Sequence, residues 1–422
     1  MLGSDPVLRP APGVSTSLSI VVDDATVPAA VDDTASAALL RAGVLATGRS
    51  LKYRRPRGAF CLQGDCGTCL MRVDGQPNVR TCTAVVHAGM RLASQNRVLE
   101  RGPDPTALVD TVFARGMDHH HLMVKPRFMN TIMQEVARNL AGLGTLPDPG
   151  GTLVTAQREH HVDALVVGAG PAGAAAAGRL RLAGWSVACV DRLDAAGVRA
   201  RGGDPLVATG LDTAVFGIYP REHGERGCVA AVQRRADGST VHTFVPRHVV
   251  LATGARDVMI PLRNNDLPGV LAARGLLALL RRTGDRLAVP AVVVGDDAEA
   301  DALAAALQCD RMAPSQVDAI LGGARVEGLA CSDGRRDVGV VALAAPVAPV
   351  SELARQAGAK VAWNGRGFAI VRGDDGRCGD GPWSTWACGE ACGVAAADAR
   401  ADGERIAEAM IAAHGRGHRG SP

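Results

Sequence analysis

Three thiols fall within nine residues, Cys61, Cys66 and Cys69 in CLQGDCGTC, in a chain of 422 residues with eleven cysteines. The C-x4-C-x2-C spacing with a fourth cysteine further along is that of plant-type two-iron, two-sulfur clusters. Cys82 is the candidate for the fourth ligand, because the Asp74-Gly75 turn lets the chain double back towards the loop. Gly64 and Gly67 suit a loop that must bring backbone N–H groups close to sulfur without bulky side chains. Zinc also accepts four thiolates, but structural zinc usually takes two closely spaced pairs, whereas here one loop is joined by one distant cysteine. Arg54, Arg55 and Arg57 could offset the charge of a four-thiolate cluster or dock an acidic partner.

A second chemical signature is GAGPAG, with Gly168, Gly170, Pro171, Ala172 and Gly173 between an apolar run and an alanine-rich helical stretch. Its glycines serve a tight turn, backbone approach to a pyrophosphate and close helix–strand packing, with the helix N-terminus facing the anion. Asp191, ending the next strand, is placed to accept hydrogen bonds from an adenosine ribose, with Arg192 beside it. A bound adenine dinucleotide is therefore expected. The stretch PAVVVGDDAEADALAAAL has the same strand–helix rhythm but keeps only Gly295; Asp296 and Asp297 would repel a pyrophosphate, so no NADH or NADPH is expected there.

These motifs need elements to hold them. LSIVVDDATVPA reads as two strands about an Asp-Asp turn, Asp33 as the N-cap of a helix through Ala42 ended by Gly43, and LMRVDGQPNVRTC as a hairpin. The residues imply an α/β fold, a small mixed unit carrying the thiols and then strand–helix units; resemblance to ferredoxins and to flavoprotein families implies an N-terminal β-grasp, ferredoxin-like α+β domain followed by a flavoprotein fold of two Rossmann-type dinucleotide-binding domains. The divisions read from the sequence are a flexible arm at 1–15, the 2Fe-2S domain at 16–100, and a bridging segment at 101–160. A FAD/dinucleotide domain follows at 161–285 and 365–415, with a degenerate NAD-binding-like domain at 286–364. The balance of 46 basic and 43 acidic residues gives no polyanion-binding footprint, so nucleic acid is not an expected partner. No eighteen-residue apolar run and no secretory leader pattern is seen, so the expectation is a cytoplasmic protein, not an integral membrane one. Closely spaced cysteines there are more often ligands or redox groups than disulfides.

The larger pattern resembles a known family. GRSLKYRRPRGAFC, GQPNVRTC and ASQNRV, followed by GAGPAG, the Thr253-Gly254 turn of VVLATGARD, and NNDLPGV, are similar to the α-subunit of heteromeric sarcosine oxidase. The same segments resemble its relatives, the opine, proline and hydroxyproline dehydrogenases and hydrogen cyanide synthase. The resemblance runs from about Thr34 to Met410, without the folate-binding C-terminal half of the sarcosine oxidase subunit. It implies a 2Fe-2S cluster and FAD, although some relatives hold NAD or ATP at the first fingerprint. It also implies a β-like flavoprotein subunit that oxidises the amine, and an electron acceptor protein or quinone. Gly389-Glu390 stands where the family places a glycine–acid pair against the flavin. The resemblance thus implies an electron-transferring subunit acting on CH–NH donors with a partner. A self-contained NAD(P)H-dependent ferredoxin-type reductase and a non-catalytic nucleotide-binding assembly subunit remain alternatives. Cys378, Cys388 and Cys392 match no ferredoxin spacing and read as buried packing groups. His119 to His121 read as exposed or interface residues, His160-His161 as a linker edge, and no substrate-activating base is evident.

Overall fold

The computed structural model describes residues 5–14, 16–50, 55–95, 155–219, 227–235, 238–379 and 384–417. The helix read at NTIMQEVARNLAGLG and the histidines 119–121 lie outside the described residues. The chain divides into two compact units, Met1–Gly150 with Met259–Ala345, and Gly151–Val258 with Pro346–Pro422.

In the first unit, a five-stranded sheet has the order Ala25–Ala29, Leu18–Val22, Arg91–Ser94, Leu70–Val73, Gln76–Arg80. Its two hairpins close on Asp23-Asp24 and Asp74-Gly75, all four residues with positive φ, the geometry that matches the right-handed twist of paired strands. The strand Leu18–Val22 pairs parallel with the central strand Arg91–Ser94, and the helix Ala35–Arg41 crosses between, burying Leu39 against Ile20, Val27, Met71 and Leu92. This is the β-grasp arrangement. Thr34, not Asp33, caps that helix, its hydroxyl accepting from the Ala37 N–H. Asp33 is instead buried, accepting from the Ala30 N–H and pairing with Arg41, which also holds Asp285.

The same unit contains a four-stranded parallel sheet, ordered Val270–Ala272, Val340–Leu343, Ala291–Val294, Asp310–Met312, with helices Ala273–Thr283 and Ala298–Leu307. Such strands, covered on both faces, read as unbroken apolar runs. The first strand and helix of this sheet fall within 259–285, which the sequence reading placed in the FAD domain. The arm also differs from its reading: Val7 and Leu8 are buried, and Leu8–Arg9 pairs antiparallel with Arg286–Leu287.

In the second unit, Val187–Val190, Thr155–Val167, Gly238–Leu251 and Ser384–Ala387 run parallel. Cys228–Arg235 and Thr213–Tyr219 continue the sheet antiparallel from Gly238–Leu251. The strand that opens this unit begins at Thr155, inside the segment read as a bridge. Beyond Val187–Val190 only an isolated parallel bridge, Val190 to Gly210, extends the sheet, so the piece between Asp191 and Thr213 is a compressed third strand. The helices Pro171–Leu182 and Ala399–Gly417 pack together over this sheet, with Leu180, Ile406 and Met410 in one core. Among the described residues no helix is long and apolar enough to cross a membrane.

Candidate cluster and nucleotide sites

The cluster loop runs from the strand Pro56–Gly58 to the strand Leu70–Val73. Leu62, Gly64 and Gly67 adopt positive φ, at 54°, 82° and 68°, and this turns successive amides inward. The N–H groups of Asp65 and Cys66 donate to the Cys61 sulfur at 3.2 and 3.4 Å, and the Gly64 N–H donates to Cys82 at 3.2 Å. Cys61 is hydrogen-bonded to both Cys66 and Cys82, and Cys82 to Cys69, so all four candidate thiols lie in one run of neighbours. Among the described residues no three His, Cys, Asp or Glu side chains close on a single point; the thiols adjoin in pairs.

Hydrogen bonds from Cys66 and Cys82, aided by the amides, outweigh burial and hold the Cys61 thiol far below its ordinary range. The Cys82 hydrogen bond brings Cys69 down to about 7, while the hydrogen bonds to Cys61 push Cys66 and Cys82 up. Thiolate character is what a metal-ligating set requires, since ligation displaces protons. Four adjacent thiols with amides aimed at sulfur therefore fit a four-thiolate cluster. Cys61, Cys69 and Cys82 are buried and Cys66 is exposed, with the Thr68 hydroxyl 3.1 Å away. Arg55 and Arg57 do not act as free positive charge beside the sulfurs: both pair with Asp266. Arg54 lies outside the described residues.

The nucleotide turn follows the strand Thr155–Val167. Gly168 has φ of 106°, and a Cβ there would lie 2.3 Å from the Ala252 carbonyl oxygen; a Cβ on Gly173 would lie 1.9 Å from the Gly168 oxygen. Both positions exclude side chains. A Cβ on Gly170 would meet nothing within 4 Å, so the space above the turn is open. Gly170 caps the helix without a side-chain hydrogen bond and Pro171 takes the first helical position, which leaves the N–H groups of the first turn for an anion. Asp191 is built into this turn, its carboxylate accepting from the Ala169 and Leu193 N–H groups at 2.8 and 2.9 Å. Thr253 and Gly254 follow the strand beneath Gly168; the Thr253 hydroxyl donates to the Val350 oxygen at 2.6 Å, and Gly254 has φ of 70°. Arg192 is exposed beside Asp191. The open turn, the uncapped helix and the positioned acid fit the pyrophosphate and ribose of an adenine dinucleotide.

Residues 15–97 match the family described as the 2Fe-2S iron-sulfur cluster binding domain, and residues 161–205 match the FAD binding domain. The sarcosine oxidase subunit alpha of Rhizobium meliloti is 28% identical over 303 residues, 63% of this chain and 30% of that protein. Its counterpart from Corynebacterium sp. (strain P-1) is 29% identical over 339 residues, 72% of this chain and 30% of that protein. Hydrogen cyanide synthase subunit HcnA of Pseudomonas aeruginosa is 31% identical over 88 residues, 21% of this chain and 84% of that protein. Over those 88 residues the chain belongs with hydrogen cyanide synthase subunit HcnA, and over most of its length it is similar to sarcosine oxidase subunit alpha. It spans under a third of the length of the sarcosine oxidase subunits it matches. L-proline dehydrogenase from P. horikoshii shares the fold, with a TM-score of 0.68 and 18% identity over 96% of this chain and 76% of that one. The chain thus carries a 2Fe-2S cluster binding domain and a FAD binding domain, and is sarcosine oxidase alpha-like.

Within this sarcosine oxidase alpha-like chain, Gly389 and Glu390 open a short 3-10 turn, Gly389–Cys392, against the helix Pro171–Leu182. A Cβ on Gly389 would lie 2.9 Å from the Ala172 Cβ. Its N–H donates to Asp402 at 2.8 Å, and Asp402 also accepts a double hydrogen bond from Arg372 at 2.9 and 2.8 Å and one from Arg405 at 2.9 Å. Gly403 lets the C-terminal helix touch the Ala172 carbonyl, 2.1 Å from where its Cβ would be. The sequence reading missed Asp402 and Arg372. The available signal was Asp402-Gly403 inside an alanine-rich helix, where glycine costs about 1 kcal/mol and so marks a close approach.

Cys189, Cys378 and Cys388 are buried in this unit's cores, and burial pushes Cys189 and Cys378 up to about 12, Cys392 up to about 11, and Cys388 higher still. Protonated thiols in apolar surroundings are packing groups, unlike those of the cluster loop. His160 is not at a linker edge: its ring lies on the sheet, stacked on Phe244 and 2.9 Å from the His242 ring nitrogen. In the other unit, Asp297 caps the helix Ala298–Leu307 with its own carboxylate, accepting from the Ala300 N–H at 2.8 Å. Gly295 is closed in by the Ala344 oxygen and the Ala300 side chain.

Proposed function

We propose that the chain is the α-like subunit of a heteromeric amine or imino-acid oxidase or dehydrogenase, cytoplasmic, which takes electrons from a β-like flavoprotein subunit and passes them to a protein or quinone acceptor. Bound in the two sites, the cluster would supply one-electron and FAD two-electron redox capacity. In this reading Cys61, Cys66, Cys69 and Cys82 ligate the cluster. The N–H groups of Ala172 and Gly173 bind the pyrophosphate, Asp191 and Arg192 face the adenosine ribose, and Thr253, Gly254, Gly389 and Glu390 line the flavin side. No residue is assigned to substrate activation; the amine is oxidised on the partner.

One observation carries this reading over a self-contained reductase: the helix N-terminus at which a nicotinamide dinucleotide would bind is filled by the Asp297 carboxylate, with Glu299 and Asp301 in the same turn. An anion is repelled there and finds the Ala300 N–H already taken. The test is coexpression with a β-like flavoprotein subunit and anaerobic addition of sarcosine, proline or an opine. The cluster signal is expected to develop in the complex and not in this chain alone. Full reduction of the isolated chain by any of these amines would refute the assignment.

A further inference from the structure

The Rossmann-type domain of the first unit has no nucleotide role in the reading above, yet it meets the approach to the cluster loop along a continuous strip. Arg55 and Arg57 pair with Asp266. A Cβ on Gly58 would lie 3.3 Å from the Pro268 Cβ, and the Ala272 N–H donates to the Phe60 oxygen at 2.9 Å. At the end of the strip a Cβ on Gly275 would lie 2.0 Å from the Cys61 carbonyl oxygen and 2.9 Å from its carbon. Residues 55, 57, 58, 60 and 61 thus step along 266, 268, 272 and 275 in order. Phe60 and Cys61 lie in the same core as Val270, Ala272 and Val292. Cys61 is also the sulfur on which the loop amides converge, so its backbone position sets the geometry of the whole thiol set.

We infer that this domain is the seat of the cluster loop, and that Gly275 is a positioning residue for the cluster, acting through the Cys61 backbone. The inference rests on Cys61 being a cluster ligand. Nothing larger than glycine fits at 275 without moving a carbonyl, and a carbonyl cannot rotate away as a side-chain tip can.

The test uses the full chain loaded with cluster and FAD, comparing Gly275→Ala with wild type. Expected are altered EPR g values of the dithionite-reduced cluster, cluster bleaching by a ferrous chelator about tenfold faster, as overpacking implies, and an unchanged flavin spectrum. Gly178→Ala, whose Cβ meets nothing, is expected to leave all three unchanged. Wild-type g values and bleaching in Gly275→Ala would overturn the inference. If that variant does not accumulate, hydrogen exchange on wild type decides: chelator removal of the cluster should deprotect residues 271–276 and not the helix Ala298–Leu307. Equal protection of 271–276 with and without cluster overturns it. A wild-type protein that binds no cluster refutes the ligand assignment itself, a different result from an undisturbed variant.

Discussion

Replacing Asp402 by Asn keeps the shape of the side chain and removes its charge. Asp402 and Arg372 are 8% and 13% exposed, so this is a buried pair and not a surface ion pair of negligible worth. Losing one partner of such a pair costs about 3–5 kcal/mol, and because Asn still accepts from Gly389 and one guanidinium N–H, about 2–3 kcal/mol is expected. Burial favours the neutral acid, but the hydrogen bonds from Arg372, Gly389 and Arg405 outweigh it and hold the Asp402 carboxyl below the usual carboxylate range. A depressed folded-state value means that the stabilisation is fully present above the unfolded value, about 3.9, and is lost as pH falls through the folded one. The assay is urea unfolding of the FAD-loaded protein followed by flavin fluorescence at pH 7 and pH 3.5. The gap between wild type and Asp402→Asn should be full at pH 7 and narrower at pH 3.5. A gap under about 0.5 kcal/mol at pH 7, within the range of ordinary surface substitutions, or one that does not narrow in acid, would refute the reasoning.

Gly173→Ala places a methyl 1.9 Å from the Gly168 oxygen, forcing the helix Pro171–Leu182 away from the turn. FAD binding should weaken by about tenfold or more, as overpacking implies, with iron content unchanged; equilibrium dialysis and iron assay check both. Cys66→Ser should alter or abolish the cluster EPR signal, whereas Cys388→Ala should leave iron per chain unchanged and lower stability by about 1–2 kcal/mol through the small cavity it leaves. Asp297→Ala should cost about 1 kcal/mol as a lost helix cap and still give no flavin reduction by NADH in stopped flow, because Glu299 and Asp301 keep the first turn acidic.

The cluster loop and the first nucleotide turn were legible because each is local. Within a dozen residues the spacing of Cys61, Cys66 and Cys69, or of Gly168, Gly170 and Gly173, already encodes the geometry. The Asp-Asp and Asp-Gly turns were legible for the same reason, since Asp and Gly tolerate the positive φ that a two-residue turn between strands requires. Asp402 and Arg372 were not, because their pairing joins a helix to a loop thirty positions away and a carboxylate carries no sign of its burial. Val7 and Leu8 looked like part of a loose arm until pairing with Arg286–Leu287 buried them, a contact no local pattern announces. The boundary near residue 259 was missed because the NNDLPG turn before Val270–Ala272 reads equally well as a loop within one domain, and only strand order assigns that strand to the four-stranded sheet. Arg55 and Arg57 were read as charges for the cluster, and their true partner, Asp266, is far along the chain.

The central claim is that this chain holds a 2Fe-2S cluster and FAD and receives its electrons from a partner, not from a nicotinamide. An anaerobic visible and EPR titration of the purified chain, first with NADH and then with dithionite, tests it most directly. The account predicts no spectral change with NADH, then bleaching of the flavin and appearance of a cluster signal with dithionite. Rapid reduction of both centres by NADH would contradict it and show that the turn closed by Asp297 is no barrier to hydride donors.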